Sequence, residues 1–312
     1  MKLINSKVEI ITQSDNTIED IYKQIEIAGR TCYKSEDKIT PTSAKEFVDR
    51  MIKSGHGAML EHSTVYLKFC INDPNHTGLE VYHRRRAKFD RLLDKYTINK
   101  YSIAKVNKYN DAIFITTNYR VLVENNWLDD LKYLCEPTES HEKRISVRWT
   151  CDRGVSHEFV RHRVFSFAQE STRYCNYSKD KFGNELTFII PTWLTLPEGN
   201  YTYWDGDWVD IDKQVIQVSE NNINTHSFLN TLEYSEYQYT MLINAGWKPQ
   251  QARQILPNAL KTELVMTGFE SDWKHFFELR CDTAAHPDAR KLALELYKKL
   301  YNKEYGEERY IN

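Results

Sequence analysis

Between Arg161 and Arg173 the chain places three arginines, a histidine, a glutamine and two serines within thirteen residues, threaded through Val164, Phe165 and Phe167. A solvated basic run would carry lysine and lack the interleaved aromatics. The planar fork of arginine suits two-point contact with a phosphate or a carbonyl edge. These residue types in this order point to a partly buried pocket for an anionic, planar ligand such as a nucleotide. The competing reading is an arginine-rich structural turn paired with the chain's own carboxylates, since ion-pair networks also gather arginine.

Three other places carry chemistry. His56, Glu61 and His62 lie in Ser54–His62, where Gly55 and Gly57 flank His56 and let the backbone turn tightly. Zinc-peptidase histidines stand one helical turn apart, whereas His56 and His62 are six residues apart across a glycine loop, so no metal is expected. Trp273, Phe276, Phe277 and Arg280 share one helical face, which puts a guanidinium on an apolar stripe and demands an anionic or carbonyl partner, from the protein or from a ligand. Ser171 has no general base at a recognisable spacing and no nucleophile elbow, which argues against a serine hydrolase.

The elements that must position these groups are partly legible. Ile18, Ile21, Ile25 and Ala28 predict a helix over 17–30, with Gly29 near its end. A second helix is expected from Ser43, which has capping-box spacing to Glu46. Alternation predicts strands at 64–71 and from Ile145 to Cys151. Gly154 should end the latter, with Ser156 capping a short helix that carries His157 to His162, and the arginine stretch should form a loop leaving it. Phe114–Thr117 reads as a strand followed by a polar turn, and the basic run Tyr82–Lys88 as a solvated helix face. Leu186 to Ile190 suggests strand, and 175–224 otherwise a polar surface segment. A long helix over 226–245 with Gly246 beyond it, a short one from Pro249 stopped by Pro257, and a terminal one after Pro287 complete the chain.

With 42 Lys and Arg against 44 Asp and Glu, the net charge of −2 weighs against a nucleic-acid backbone as main partner. No apolar run approaches the ~18 residues of a membrane helix. The N-terminus lacks an apolar signal core, and six cysteines without a C-x-x-C pair suggest free thiols, so a reducing cytoplasm is expected.

Arg161-His162-Arg163 followed after seven residues by Ser171 and then Arg173-Tyr174 resembles the signature of the flavin-dependent thymidylate synthases. Gly55-His56-Gly57 with Glu61-His62 upstream, and Ala252-Arg253, Leu256-Pro257 and Leu279-Arg280 downstream, extend the resemblance over roughly 17–70 and 145–303. It implies an α+β fold with a central, mostly antiparallel sheet flanked by helices, here one domain over 1–312 with an insertion at about 72–146. It also implies a homotetramer with active sites at subunit interfaces. The activity implied is reductive methylation of dUMP to dTMP with FAD, reduced nicotinamide (NADPH or NADH) and methylenetetrahydrofolate. A related flavin enzyme methylating or hydroxymethylating another pyrimidine nucleotide would use the same residues.

Carried over by that resemblance, Arg161, His162 and Arg163 would hold FAD, with His56 near the flavin, Glu61 supporting its loop and His275 a further contact. Gln169, Ser171 and Arg173 would hold dUMP, and Arg253 and Arg280 would complete that pocket from other chains. Arg280 and Ser171 are the residues expected to act in the reaction, Ser171 as a binding hydroxyl. The flavin would perform the hydride step while the protein supplies position and charge. Ala58, Glu158, Phe269, Ser271 and His286 depart from the family pattern; a Glu158 carboxylate beside a phosphate would be repulsive unless turned away or protonated.

Overall fold

The computed structural model describes residues 1–71, 79–107, 111–204, 207–209 and 223–306. In chain order the elements are β1 (Lys2–Ile4), β2 (Lys7–Ile11), α1 (Ile18–Tyr33), α2 (Ser43–Lys53), a 3-10 turn (Gly57–His62), β3 (Val65–Cys70), α3 (Leu79–Ile98), β4 (Ile103–Asn107), β5 (Ala112–Thr117), α4 (Tyr119–Glu124), β6 (Arg144–Asp152), α5 (Arg153–Phe159) and β7 (Ser166–Gln169). They continue with β8 (Thr187–Ile189), β9 (Gly199–Asn200), β10 (Thr202–Trp204), β11 (Asp207–Val209), α6 (Ile223–Asn244), α7 (Pro249–Ala252), β12 (Lys261–Phe269), α8 (Glu270–Arg280) and α9 (Pro287–Tyr301).

The fold is α+β, with antiparallel sheets flanked by helices. The sheet that carries the site runs β2-β6-β12-β7, every pair antiparallel. At its centre β6 and β12 pair along their whole length, from Arg144 opposite Phe269 to Asp152 opposite Lys261. The strand material is divided: β3-β5-β4 forms a second antiparallel sheet, and β8-β1-β9 a third that mixes parallel and antiparallel pairs. β5 zips onto β3 from Val65–Thr117 to Cys70–Ala112. The 79–134 region is therefore built into the same core as α1 and α2, where Phe89, Tyr96, Ile113, Ile115 and Leu122 meet Ile21, Ile25 and Phe47.

One face of the β6–β12 ladder is covered by α5, α8 and α9. Alternation sends Val147, Trp149 and Cys151 to that face, together with Leu264 and Met266 of β12. Trp149 sits at the centre: Phe159 from α5 lies 4.7 Å away and Phe276 from α8 5.8 Å, ring centre to ring centre. Truncating such a buried aromatic costs ~3–5 kcal/mol, so this cluster holds both helices to the sheet.

Several local expectations change. No side chain caps α2: the N-cap position falls on Thr42, and the Ser43 hydroxyl, inside the helix, donates to Glu26 Oε2 at 2.8 Å. Asp152, not Ser156, caps α5, accepting from the Val155 amide at 2.8 Å, and the helix ends at Phe159, so His162 lies beyond it. Gly29 is inside α1, which runs on to Tyr33. The polar turn after β5 is helix α4, capped by Asn118. The arginine stretch is not all loop, since its middle, Ser166–Gln169, is strand β7. In 175–224, Tyr201 and Trp208 are buried rather than surface residues, and 205–206 and 210–222 lie outside the described residues.

Gly268 of β12 is where a strand has to give way to a ring. A Cβ there would stand 2.4 Å from Phe165 Cδ1, and Phe165 is itself held against Trp273 at 4.7 Å. Gly268→Ala should therefore cost ~1–3 kcal/mol through overpacking, read as a lowered denaturation midpoint. An unchanged midpoint would mean that the Phe165 ring can retreat.

Candidate active site

The register of the ladder decides which residues meet. β6 delivers α5 at its Asp152 end, and β12 delivers α8 from the opposite end; both return across the Trp149 face. The end of α8 then meets the turn beyond α5 in a cleft of about 740 Å³. Arg161, His162, Arg163, Glu158, His275 and Arg280 line it. Four residues separated by more than a hundred positions from Arg280 and His275 are thus brought together with them.

Arg280 is the best-anchored group in the cleft. Its Nε donates to His162 Nε2 at 2.9 Å, Nη1 to Glu158 Oε2 at 2.7 Å and Nη2 to the Glu158 carbonyl at 2.6 Å. The structural partner demanded by its apolar face is therefore Glu158. The Glu158 carboxylate is turned into that ion pair. A guanidinium has five N–H donors, so two remain for another acceptor. His162 is buried against Phe276 and Phe165. Burial, with the neighbouring Arg280 and His275, lowers its pKa to about 4, so it is a neutral acceptor at neutral pH. Arg161 and Arg163 are exposed at the rim, with no carboxylate partner among the described residues. His275 is exposed and bonds Glu278 at 3.3 Å.

A second group forms where β7 runs out. Gln169 donates from Nε2 to Ser156 Oγ at 2.9 Å and Thr262 Oγ1 at 3.2 Å, tying β7 to α5 and β12. The Ser171 amide donates to the Cys32 carbonyl at 3.0 Å, and its hydroxyl accepts from the Arg173 amide at 3.3 Å. Arg253 reaches the same turn, Nη1 to Thr172 Oγ1 at 3.2 Å. Arg173 is exposed over the Tyr174 ring, which leans on Tyr33 at 5.8 Å. The Tyr33 hydroxyl meets His56 Nδ1 at 3.1 Å. His56, Ser171, Arg173 and Arg253 are therefore linked through Tyr33, Tyr174 and Thr172 but do not line the Arg280 cleft. Glu61 stands apart from both groups, its carboxylate bound by Arg120.

Beneath the Ser171 turn lies a buried charge chain. Glu170 accepts from Lys261 Nζ at 2.8 Å and from the Tyr177 hydroxyl at 2.9 Å, and Glu263 accepts from both Lys261 and Lys34, at 2.8 and 2.9 Å. Burial opposes the charges of Lys261 and Glu263, but the attraction of their partners prevails: the Lys261 pKa is raised and that of Glu263 lowered. Burial pushes the Cys175 thiol up to about 12 and the Cys32 thiol to about 11, so neither is a nucleophile at neutral pH. Sequence reasoning missed Tyr33, Lys34, Lys261, Glu263 and Arg120. Their deciding partners (His56 for Tyr33, Glu263 for Lys34, Glu170 for Lys261, Glu61 for Arg120) lie far along the chain, and only the fold supplies the pairing. No cluster of three or more His, Cys, Asp or Glu residues suited to a metal ion occurs among the described residues.

A family described as thymidylate synthase complementing protein matches residues 137–303, more than half of the chain. The chain belongs to that family. Similar relatives are named flavin-dependent thymidylate synthases. That of Corynebacterium glutamicum is 28% identical over 163 residues (47% of this chain, 53% of that protein), and that of Pyrococcus furiosus 29% over 150 (48% and 51%). That of Mycobacterium tuberculosis is 30% identical over 152 residues (47% and 53%). The chain thus spans about half the length of these relatives. A solved structure of the UMP/dUMP methylase PolB from Streptomyces cacaoi bound with 5-Br dUMP aligns over 96% of this chain and 93% of that one, at 15% identity and a TM-score of 0.41. That likeness is too weak to carry an argument. Both Arg161–Arg173 and Arg280 fall inside the matched residues.

The neutral His162 has a pH consequence. Between about 6.5 and about 4 the unfolded chain binds the proton that folded His162 refuses, so stability is full above about 6.5 and falls with pH toward about 4. Buried His62, lowered to about 3 chiefly by burial, adds to the same slope. His162→Gln, which keeps an acceptor for Arg280, should lose less melting temperature than wild type between pH 7 and pH 4.5 in a buffer series. Parallel curves for the two proteins would contradict the assignment.

Proposed function

We propose that this chain is a flavin-dependent thymidylate synthase. It would convert dUMP to dTMP by reductive methylation, with FAD as bound cofactor, methylenetetrahydrofolate as carbon donor and NADPH or NADH as reductant. The observation that carries this reading is the meeting of Arg161, His162, Arg163 and Arg280, residues of the family-matched region, in one cleft.

The residues present fit a dinucleotide. Rim guanidiniums without carboxylate partners, Arg161 and Arg163, suit its phosphates, and neutral His162 with the adjacent aromatics suits a ring system. His275 lines the same cleft and His56 would come to the flavin from the second group. When bound, the flavin would supply the hydride chemistry. The chain would do the rest by position and charge. Gln169, Ser171, Arg173 and Arg253 would hold the nucleotide, its phosphate toward Ser171 and Arg173. Arg280, fixed by three hydrogen bonds, has two N–H donors left with which to stabilise negative charge on a carbonyl oxygen of the base. Ser171 would act as a binding hydroxyl, its oxygen accepting from the Arg173 amide.

A homotetramer with shared sites belongs to the same proposal. Ser171, Arg173 and Arg253 do not line the cleft that holds Arg280, so a neighbouring copy would be needed to complete the pocket. A cytoplasmic, single-domain enzyme acting on small molecules, with neither nucleic acid nor membrane as partner, is the setting proposed for it.

The purified protein should be yellow or become so with FAD, and its colour should bleach under NADPH or NADH without oxygen. It should form dTMP from dUMP only with methylenetetrahydrofolate. Arg280→Ala should lower turnover by ~10²–10³-fold, the cost of removing one donor to developing charge. Protein that never takes up FAD, or an Arg280→Ala variant with undiminished turnover, would defeat the proposal. Turnover of UMP in preference to dUMP would move the substrate to that of a related flavin-dependent methylase.

A further inference from the structure

We infer that helix α4 clamps the His56–Glu61 loop and that Arg120 is its positioning residue, setting how tightly that loop holds its ligand; the identity of the ligand as FAD rests on the proposed function. Arg120 comes from the stretch between 72 and 146, which the sequence resemblance does not reach. Its Nη1 donates to Glu61 Oε1, while Nε donates to Glu124 Oε1 at 2.7 Å, so one guanidinium joins α4 to the loop. α4 itself is fixed at its start, where the Asn118 side-chain Oδ1 accepts from the Val121 amide at 3.1 Å.

The contact extends to the loop backbone. A Cβ at Gly57 would lie 3.1 Å from Arg120 Nε and 3.2 Å from Glu124 Oε1, so the pair rests directly on the residue after His56. From the other side Arg144 of β6 holds the main chain, Nη1 to the Ser63 carbonyl at 2.6 Å and Nη2 to the Glu61 carbonyl at 3.0 Å. His62 is tied underneath, Nδ1 to Thr267 Oγ1 at 2.9 Å. Two arginines therefore grip Glu61, one by its side chain and one by its carbonyl. The first turn of the loop, Gly55 to Gly57, has positive φ at Gly55 and is held on its outer side by Arg120.

This is a clamp rather than a source of global stability. The Arg120 side chain is 36% exposed beside a cavity of about 270 Å³ that Glu61, Asn118 and Glu124 help to line. Ion pairs open to water add little to the folding free energy, yet they fix geometry locally. Arg120 is not a catalytic residue; it acts through Glu61 and Gly57.

The test compares wild type with Arg120→Ala, Arg120→Lys, Glu61→Gln and the double variant Arg120→Ala/Glu61→Gln, by amide hydrogen exchange, FAD titration and thermal melting. Arg120→Ala should speed exchange of the 57–62 amides ~10-fold while leaving the β6–β12 amides unchanged. It should weaken FAD binding by ~10-fold at a nearly unchanged melting midpoint, and Arg120→Lys should recover part of the loss. The double variant should bind FAD no more weakly than the worse single one, because both remove the same contact. Unchanged exchange in 57–62, or a lowered melting midpoint with FAD affinity intact, overturns the inference. Faster exchange in a protein whose wild type takes up no FAD would retire the flavin reading while upholding the clamp.

Discussion

The nine-residue β6–β12 ladder is the constraint on which the cleft depends. At ~3.4 Å per residue its span is ~27 Å, and α5 and α8 leave from opposite ends of it. Both turn back over the same face. With seven and eleven residues they reach together ~27 Å at ~1.5 Å per residue, so their tips must meet near the middle. They meet over Trp149, where Phe159 and Phe276 lie 5.4 Å apart. A slip of one residue in the ladder would turn Trp149 to the other face and remove the surface on which both helices rest. Aromatic packing and strand register, rather than the arginines, bring Arg280 to His162.

The other edge of the sheet is governed by charge. Burying Glu170, Lys261, Glu263 and Lys34 gives little net stability, because desolvation offsets most of the attraction. What the chain of ion pairs specifies is position. Lys34 is the left-handed residue that closes α1, and the strands on either side contribute Glu263 and Lys261 from β12 and Glu170 from the end of β7. The Ser171 amide is bonded to Cys32 in the last turn of α1. The end of α1, the strand edge and the 171–174 turn are thus locked to one another by groups that cannot be left unpaired.

How much of this was legible follows from how local each signal is. The Arg280 face was readable because Trp273, Phe276 and Phe277 repeat at helical spacing within eight residues, and the strands at β3 and β6 announced themselves by alternation. The cap of α5 was misplaced because Asp152 and Ser156 are both competent caps, and only the turn from β6 decides between them. The role of Glu158 was open because a carboxylate four residues before His162 has no partner until α8 folds back. Arg120 was invisible as a functional residue: its pairing with Glu61 spans a stretch whose hydrophobic pattern reports β5 and α4, not the loop they cover.

The electrostatics of the cleft follow from which of its groups can change charge. Arginine stays protonated throughout the accessible range, and His162 is held neutral by burial and by the Arg280 donor, so protonating it would place two cations at hydrogen-bond distance. Glu158 neutralises one arginine, and the rim arginines remain. The cleft, which Glu278 and Asp282 also line, therefore sets two rim guanidiniums beside a neutral, aromatic-backed His162. That division suits a ligand with phosphate at one end and a flat ring at the other. Lysine in place of the rim arginines would keep the charge but lose the planar fork, and histidine charged at position 162 would push Arg280 from the geometry that its three bonds now define.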